Sequence, residues 1–145
     1  MSAMSDYLEN KLVDHIFRAT SFTMPSALYV ALFTAAPSDA GGGTEVTGGS
    51  YARTNLAPSV SNWKSTNGTT SGASSGTGGV TSNAVAITWA VAPTANWGTV
   101  THFAIFDAST AGNMLFWAAL TASKTINSGD AAPSFAVDAL TVTLA

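Results

Sequence analysis

Two residues in the run WGTVTHFAIFDASTAGNMLFWAAL (97–120) have the chemistry of a catalytic pair, His102 and Asp107. An imidazole oriented by a carboxylate is the general base that activates a serine. Their setting denies them that role. The run alternates as a strand does, and successive side chains of a strand point to opposite faces. His102 falls on the face of Val100, Ala104 and Phe106, while Asp107 falls at the strand end on the face of Phe103 and Ile105. The two cannot meet within that strand. His102 reads as a hydrogen-bonded structural or interface histidine. Asp107, just ahead of ASTAGN, reads as a turn former bonding local backbone. The other histidine, His15, falls among Leu8, Leu12 and Ala19 on one stripe of a helical stretch and reads as a core histidine with one good partner.

Two motif matches lack the context their chemistry requires. Gly72-Ala73-Ser74-Ser75-Gly76 spells the G-x-S-x-G nucleophile elbow, which needs a strand before it and a helix after it. Here it lies in a glycine and serine tract. The triple Gly41-Gly42-Gly43 is followed by neither a Lys-Ser/Thr pair nor a helix, so it is no phosphate loop. No pair of potential ligands has metal-binding spacing, and the chain has no cysteine. The expectation is a protein with no catalytic residue, no metal and no cofactor.

Composition points to contact surfaces instead. Of 145 residues, 5 are Lys or Arg and 8 are Asp or Glu, 9% in all, against about 25% in an ordinary soluble domain. A surface of Ser, Thr, Gly, Ala and Asn desolvates at low cost, which suits a chain packed against other chains. The cations are scattered from Lys11 to Lys124, with no patch to hold phosphates, so no direct contact with nucleic acid is expected. The apolar runs ALYVALF (27–33) and MLFWAAL (114–120) are strand-length, far below the roughly 20 residues of a spanning helix. No membrane contact is expected, and the charged N-terminal stretch has no h-region of a Sec-type signal. The interface candidates are Tyr51, Arg53, Trp63, Phe103 and Trp117. Tyr51 and Arg53 are residue types that anchor interfaces; the alternative for Arg53 is an ion pair with Glu45. Trp63, the one large apolar residue of a polar tract, either tucks back on the body or enters a partner, and the partner is the favoured reading.

The elements that position these residues are mostly strands. Residues 5–19 form the helix: Ser5 can cap it, Asp6 and Glu9 lie in its first turn, Asp14 and Arg18 are spaced i,i+4, and Leu8, Leu12, Ile16 and Ala19 make an apolar stripe. Residues 27–34 form a strand apolar on both faces. Residues 36–50 are loop, 51–57 a strand, and 61–79 a flexible Gly/Ser-rich surface excursion. Residues 84–92 alternate cleanly, with Val85, Ile87, Trp89 and Val91 on one face. A hairpin follows, 99–107 and 114–122. The alternation of 134–145 changes parity at Asp138-Ala139, which marks a bulge or turn. The sum is one domain, mainly β: a single jelly-roll-like β-sandwich over 27–145 with one N-terminal α-helix. Phe103, Ile105, Phe116 and Trp117 occupy both parities of the hairpin, so they cannot all face one core.

The strings YLENKLVDHIFR, LYVALFTAAPSDAGGGTEVTGGSYAR, WGTVTHFAIFDASTAGNMLFWAALTASKTINSGD and ALTVTLA resemble a family of small tailed-bacteriophage proteins, usually described as tail-fibre or uncharacterised virion proteins. The resemblance spans nearly the whole chain; the glycine-rich 61–79 departs from it. It implies a non-enzymatic structural protein of the virion with no catalytic residues to carry over. The leading expectation is a capsid decoration (cement) protein, a homo-oligomer bridging major capsid protein subunits. The alternative is a tail component, a fibre base, tip or adaptor contacting other tail proteins.

Overall fold

The computed structural model describes residues 2–144; Ala145, the last residue of the expected sandwich, lies outside the described residues. The protein is mainly β with one helix. In chain order the elements are β1 (Ala3–Met4), α1 (Asp6–Phe17), β2 (Tyr29–Ala35), β3 (Thr44–Glu45), β4 (Thr54–Asn55), β5 (Val80–Ser82), β6 (Ile87–Thr88), β7 (Gly98–Phe106), β8 (Met114–Ile126), β9 (Ser134–Phe135) and β10 (Thr141–Thr143). The main sheet runs β1-β8-β7-β2-β3, and β4 shares with β3 the outer edge of β2. Two short antiparallel ribbons, β5–β10 and β6–β9, complete the strands.

Alternation decides how the layers pack. In β2, Val30 and Leu32 join the larger core while Ala31 and Phe33 join a second cluster on the opposite face. The larger core brings Val100, Phe103 and Ile105 of β7 against Ile87, Leu140 and Val142 from the ribbon side, in a sandwich-like arrangement. The second cluster, with Ala104 and Met114, lies beside Phe106 and Trp117. The hairpin therefore splits as its parity requires: Phe103, Ile105 and Phe116 go to the main core and Trp117 to the other face.

The helix begins where its cap residue permits. The Ser5 hydroxyl accepts the Leu8 amide at 3.3 Å, and it also donates to the Met114 carbonyl. The Ser5 amide donates to the Leu115 carbonyl at 3.0 Å, which ties the helix start to β8. Arg18 pairs with Asp14 at 2.8 Å as the i,i+4 spacing predicts. Ala19, at φ 54°, ends the helix two residues beyond Phe17. The expected stripe is only partly used, because Leu8 alone is buried and Ile16 is exposed. His15 is a correction: it is exposed, not in a core, and its Nδ1 accepts the Phe22 amide at 3.1 Å. The body covers only the first turns of α1, so the rest of the stripe has nothing to pack on.

Three further differences have local causes. Val100 pairs with Lys124 and His102 with Ala119, so residues 120–123 of β8 bulge opposite the single Thr101. The bulge breaks the alternation and puts Val100 in the main core, on the face away from His102. The strand expected over 84–92 shrinks to β6. The Ala84 amide goes to Asn62 O at 2.7 Å and the Val85 carbonyl to Asn83 Nδ2 at 2.8 Å; Val85 and Val91 are exposed. Finally, the 134–145 stretch is two short strands, β9 paired with β6 and β10 paired with β5. The parity change between them is a turn: Asp138 has φ 65°, and the Ala139 amide donates to Ala136 O at 3.0 Å.

Residues 67–78 are exposed and bonded mainly among themselves and to Ser65 and Thr66. Asn67 Oδ1 accepts the Ser75 amide at 3.1 Å, and Thr66 Oγ1 accepts the Gly76 amide at 2.9 Å. Ser74 Oγ accepts the Thr66 amide at 3.2 Å. No strand leads into Ser74 and no helix leaves it, so the elbow geometry is not formed.

Candidate functional site

The densest polar arrangement is built on the outer edge of β2. β3 and β4 leave a gap there between Val30 and Phe33. In that gap the Leu32 amide donates to the Tyr51 hydroxyl at 2.9 Å, so a side chain supplies what a neighbouring strand would. Gly49 makes the approach possible. Its carbonyl accepts Trp97 Nε1 at 3.0 Å, and a Cβ there would lie 3.0 Å from backbone atoms of Ala95. Tyr51 consequently meets Trp97 edge-on, with ring centroids 5.2 Å apart.

From Tyr51 the network runs outward. Its hydroxyl donates to Glu45 Oε1 at 3.1 Å. Arg53 holds the same carboxylate with two bonds, Nε to Oε1 at 2.9 Å and Nη2 to Oε2 at 2.8 Å. Its Nη1 donates to the carbonyls of Ala108 at 3.0 Å and Ala111 at 2.7 Å, and its guanidinium carbon lies 3.6 Å from the Phe106 ring centroid. This fork, flat on an aromatic ring, is a geometry lysine cannot reproduce. Burial, with the Glu45 carboxylate acting in the same direction, holds the Tyr51 phenol well above its ordinary pKa.

Arg53 thereby fixes the hairpin turn 107–113. Asp107 closes that turn as expected of a turn former: Oδ1 accepts the Asn113 amide and Oδ2 the Asn113 side-chain amide, both at 2.7 Å. Between this turn, the start of α1 and the Gly41–Gly43 loop lies an open cleft of about 580 Å³, with Phe33 and Phe106 beneath it and Asp6 and Asp39 on its wall. Neither histidine lines it. Among the described residues no three His, Cys, Asp or Glu side chains gather as a metal site. The cleft can hold a ligand by contact, and it offers no nucleophile with a base beside it.

The other singled-out residues lie apart. His102 pairs with Thr101 Oγ1 at 2.8 Å and lies 5.9 Å, ring to ring, from Trp117. Trp117 Nε1 donates to Asp39 Oδ1 at 2.9 Å. Phe103 is buried in the main core against Phe135, 5.9 Å away. Trp63 is half-buried against that core, with Nε1 3.4 Å from the Leu56 carbonyl. The five interface candidates thus occupy the β2 edge, the core and both faces of the sheet rather than one patch.

Asn83 was not singled out in the sequence, yet it is fully buried and satisfied. Its Nδ2 donates to Val85 O at 2.8 Å and Ala136 O at 2.7 Å, and its Oδ1 accepts the Leu140 amide at 2.9 Å. Nearby, Asp138 accepts from Lys64 and Ser82, both at 2.6 Å, and these bonds lower its pKa. An asparagine beside a short strand carries no periodic signal; only the packing reveals it.

The chain is thus mainly β, with polar groups that tie its own edges and turns together. The family described as Podophage GP4 fiber I protein gp80 matches residues 3–143, and the chain belongs to that family. It is a tailed-phage virion protein of the fibre-related kind. No curated protein matches the chain. Among the described residues no helix is long and apolar enough to cross a membrane.

Proposed function

We propose that this chain is a non-enzymatic component of a phage tail fibre, a base, tip or adaptor piece that works as a homo-oligomer and contacts other tail proteins. The observation that carries this reading is the family match over 3–143, whose description names a fibre. That description favours the fibre over capsid decoration, and on this reading the partners are tail proteins rather than the major capsid protein. The low charge supports the same reading, since a surface with few ions to desolvate is suited to permanent contacts.

Quantifying the chain against the major capsid protein in purified virions tests the reading. A fibre component is a small minority of the particle protein, and antibodies to it label the tail end. Abundance near that of the capsid subunit, with label over the shell, would overturn the fibre in favour of decoration.

A further inference from the structure

Asn67 is followed by Gly68, and no other asparagine of the chain precedes a glycine. An asparagine carboxamide is open to attack by the backbone nitrogen of the next residue, and a glycine there has no Cβ to obstruct the approach. The pair lies in the loop 67–78, which is exposed throughout and has neither a large apolar nor a charged residue. Two sets of bonds oppose the attack. The Gly68 amide, the nucleophile, donates to the Ser65 carbonyl at 2.8 Å. The carboxamide, the target, is held from across the loop. Its Oδ1 accepts the Ser75 amide at 3.1 Å and the Ser75 hydroxyl at 3.3 Å. Its Nδ2 donates to Ser75 Oγ at 3.0 Å and to the Ala73 carbonyl at 3.4 Å.

We infer that Asn67 is a modification site, an asparagine that deamidates through a succinimide whenever the loop opens, with Ser75 as the clamp that sets the rate. Hydroxide takes the Gly68 amide proton, and the nitrogen bonds to Asn67 Cγ. The Cγ–Nδ2 bond breaks, and Nδ2 leaves as ammonia with a proton from water, which restores the hydroxide. Water then opens the ring. Opening at Cγ leaves an aspartate, and opening at the Asn67 backbone carbonyl leaves an isoaspartate, with the chain running through the side chain. The net change is one water consumed and one ammonia released, with no oxidant or reductant. The opening that permits it costs little, because the loop buries no large apolar side chain and its bonds lie among exposed polar atoms. The product adds a negative charge to a loop without any and loses both Nδ2 bonds. The Gly76–Thr66 bond that closes the loop does not involve Asn67, so the body keeps its stability.

The test follows the full chain during incubation at mildly alkaline pH, by peptide mapping with mass spectrometry and an isoaspartate-specific methyltransferase assay. The folded parent should convert at Asn67, faster as pH rises, and ahead of Asn127, whose neighbour is Ser128. Ser75→Ala removes the hydroxyl that bonds both ends of the carboxamide. It should convert about two- to tenfold faster, the equivalent of one net hydrogen bond. In urea, where the clamp is gone, variant and parent should convert at the same rate. Gly68→Ala should slow conversion in folded and unfolded chains alike, and circular dichroism checks that each variant folds. A folded parent that keeps Asn67 while the unfolded chain converts would overturn the inference. So would a folded Ser75→Ala variant no faster than the parent, an equal advantage of that variant in urea, or conversion that begins at Asn127.

Discussion

Arg53 grips Glu45 through both carboxylate oxygens while its remaining terminal nitrogen holds two carbonyls of the 107–113 turn. One side chain therefore links the β2 edge, through Glu45 on β3, to the hairpin turn between β7 and β8. The pair is largely shielded, with the arginine side chain 9% and the glutamate 24% exposed.

Removing one partner leaves the other charge partly buried and unpaired. Arg53→Ala is expected to cost about 2–4 kcal/mol, less than for a fully buried pair because Glu45 retains some water. Arg53→Lys should recover only part of it, since an ammonium cannot make the fork. Urea denaturation of the three proteins checks both. Equal stability of the lysine variant and the parent would show that charge alone matters.

Tyr51 gives the fold an alkaline limit. Its folded-state pKa lies above the unfolded value of about 10. The neutral phenol is thus favoured on folding, and its contribution is complete below about pH 10 and lost as pH rises beyond it. Tyr51→Phe should remove that loss and also cost about 1–3 kcal/mol at neutral pH, because the Leu32 amide loses its acceptor. Urea midpoints from pH 8 to 11 separate the two effects.

Asn83→Ala leaves the Leu140 amide without its acceptor in the interior and takes a donor from the Val85 and Ala136 carbonyls, of which Ala136 keeps the Ala139 amide. The expected loss is about 1–3 kcal/mol, a sizeable share of a domain's total stability. Asn83→Asp should be no better, since it keeps an acceptor, loses both donors and buries a charge. Thermal melts of both variants decide it; a melting temperature unchanged in either would remove Asn83 from its structural role.

The loop 67–75 can be shortened. Its flanks already touch, with the Gly76 amide 2.9 Å from Thr66 Oγ1. Replacing residues 67–75 by two glycines should change stability by no more than about 1 kcal/mol, since loop closure costs only about 0.6 kcal/mol per doubling of length. A large drop in melting temperature would mean the loop supports the body through Trp63.

Local pattern alone determined the doubly apolar β2, the β7–β8 hairpin with its aromatics on two faces, the Ser5 cap, the Asp107 turn and the break at Asp138-Ala139. Each depends on neighbours within a few residues, where side-chain alternation and turn chemistry act. Tertiary structure decided what depends on a distant partner. Opposite Thr101, β8 spends four residues, and Val100 changes face. The 84–92 alternation yields a two-residue strand because Asn62 and Asn83 take its backbone groups. His15 lies in the open because the body ends after the first turns of α1. Arg53 could be matched to Glu45 by proximity, whereas the Ala108 and Ala111 carbonyls come from a turn more than fifty residues away. Hydrogen-bond partners and bulges are set by which strands meet, and no period within a single strand encodes its neighbour.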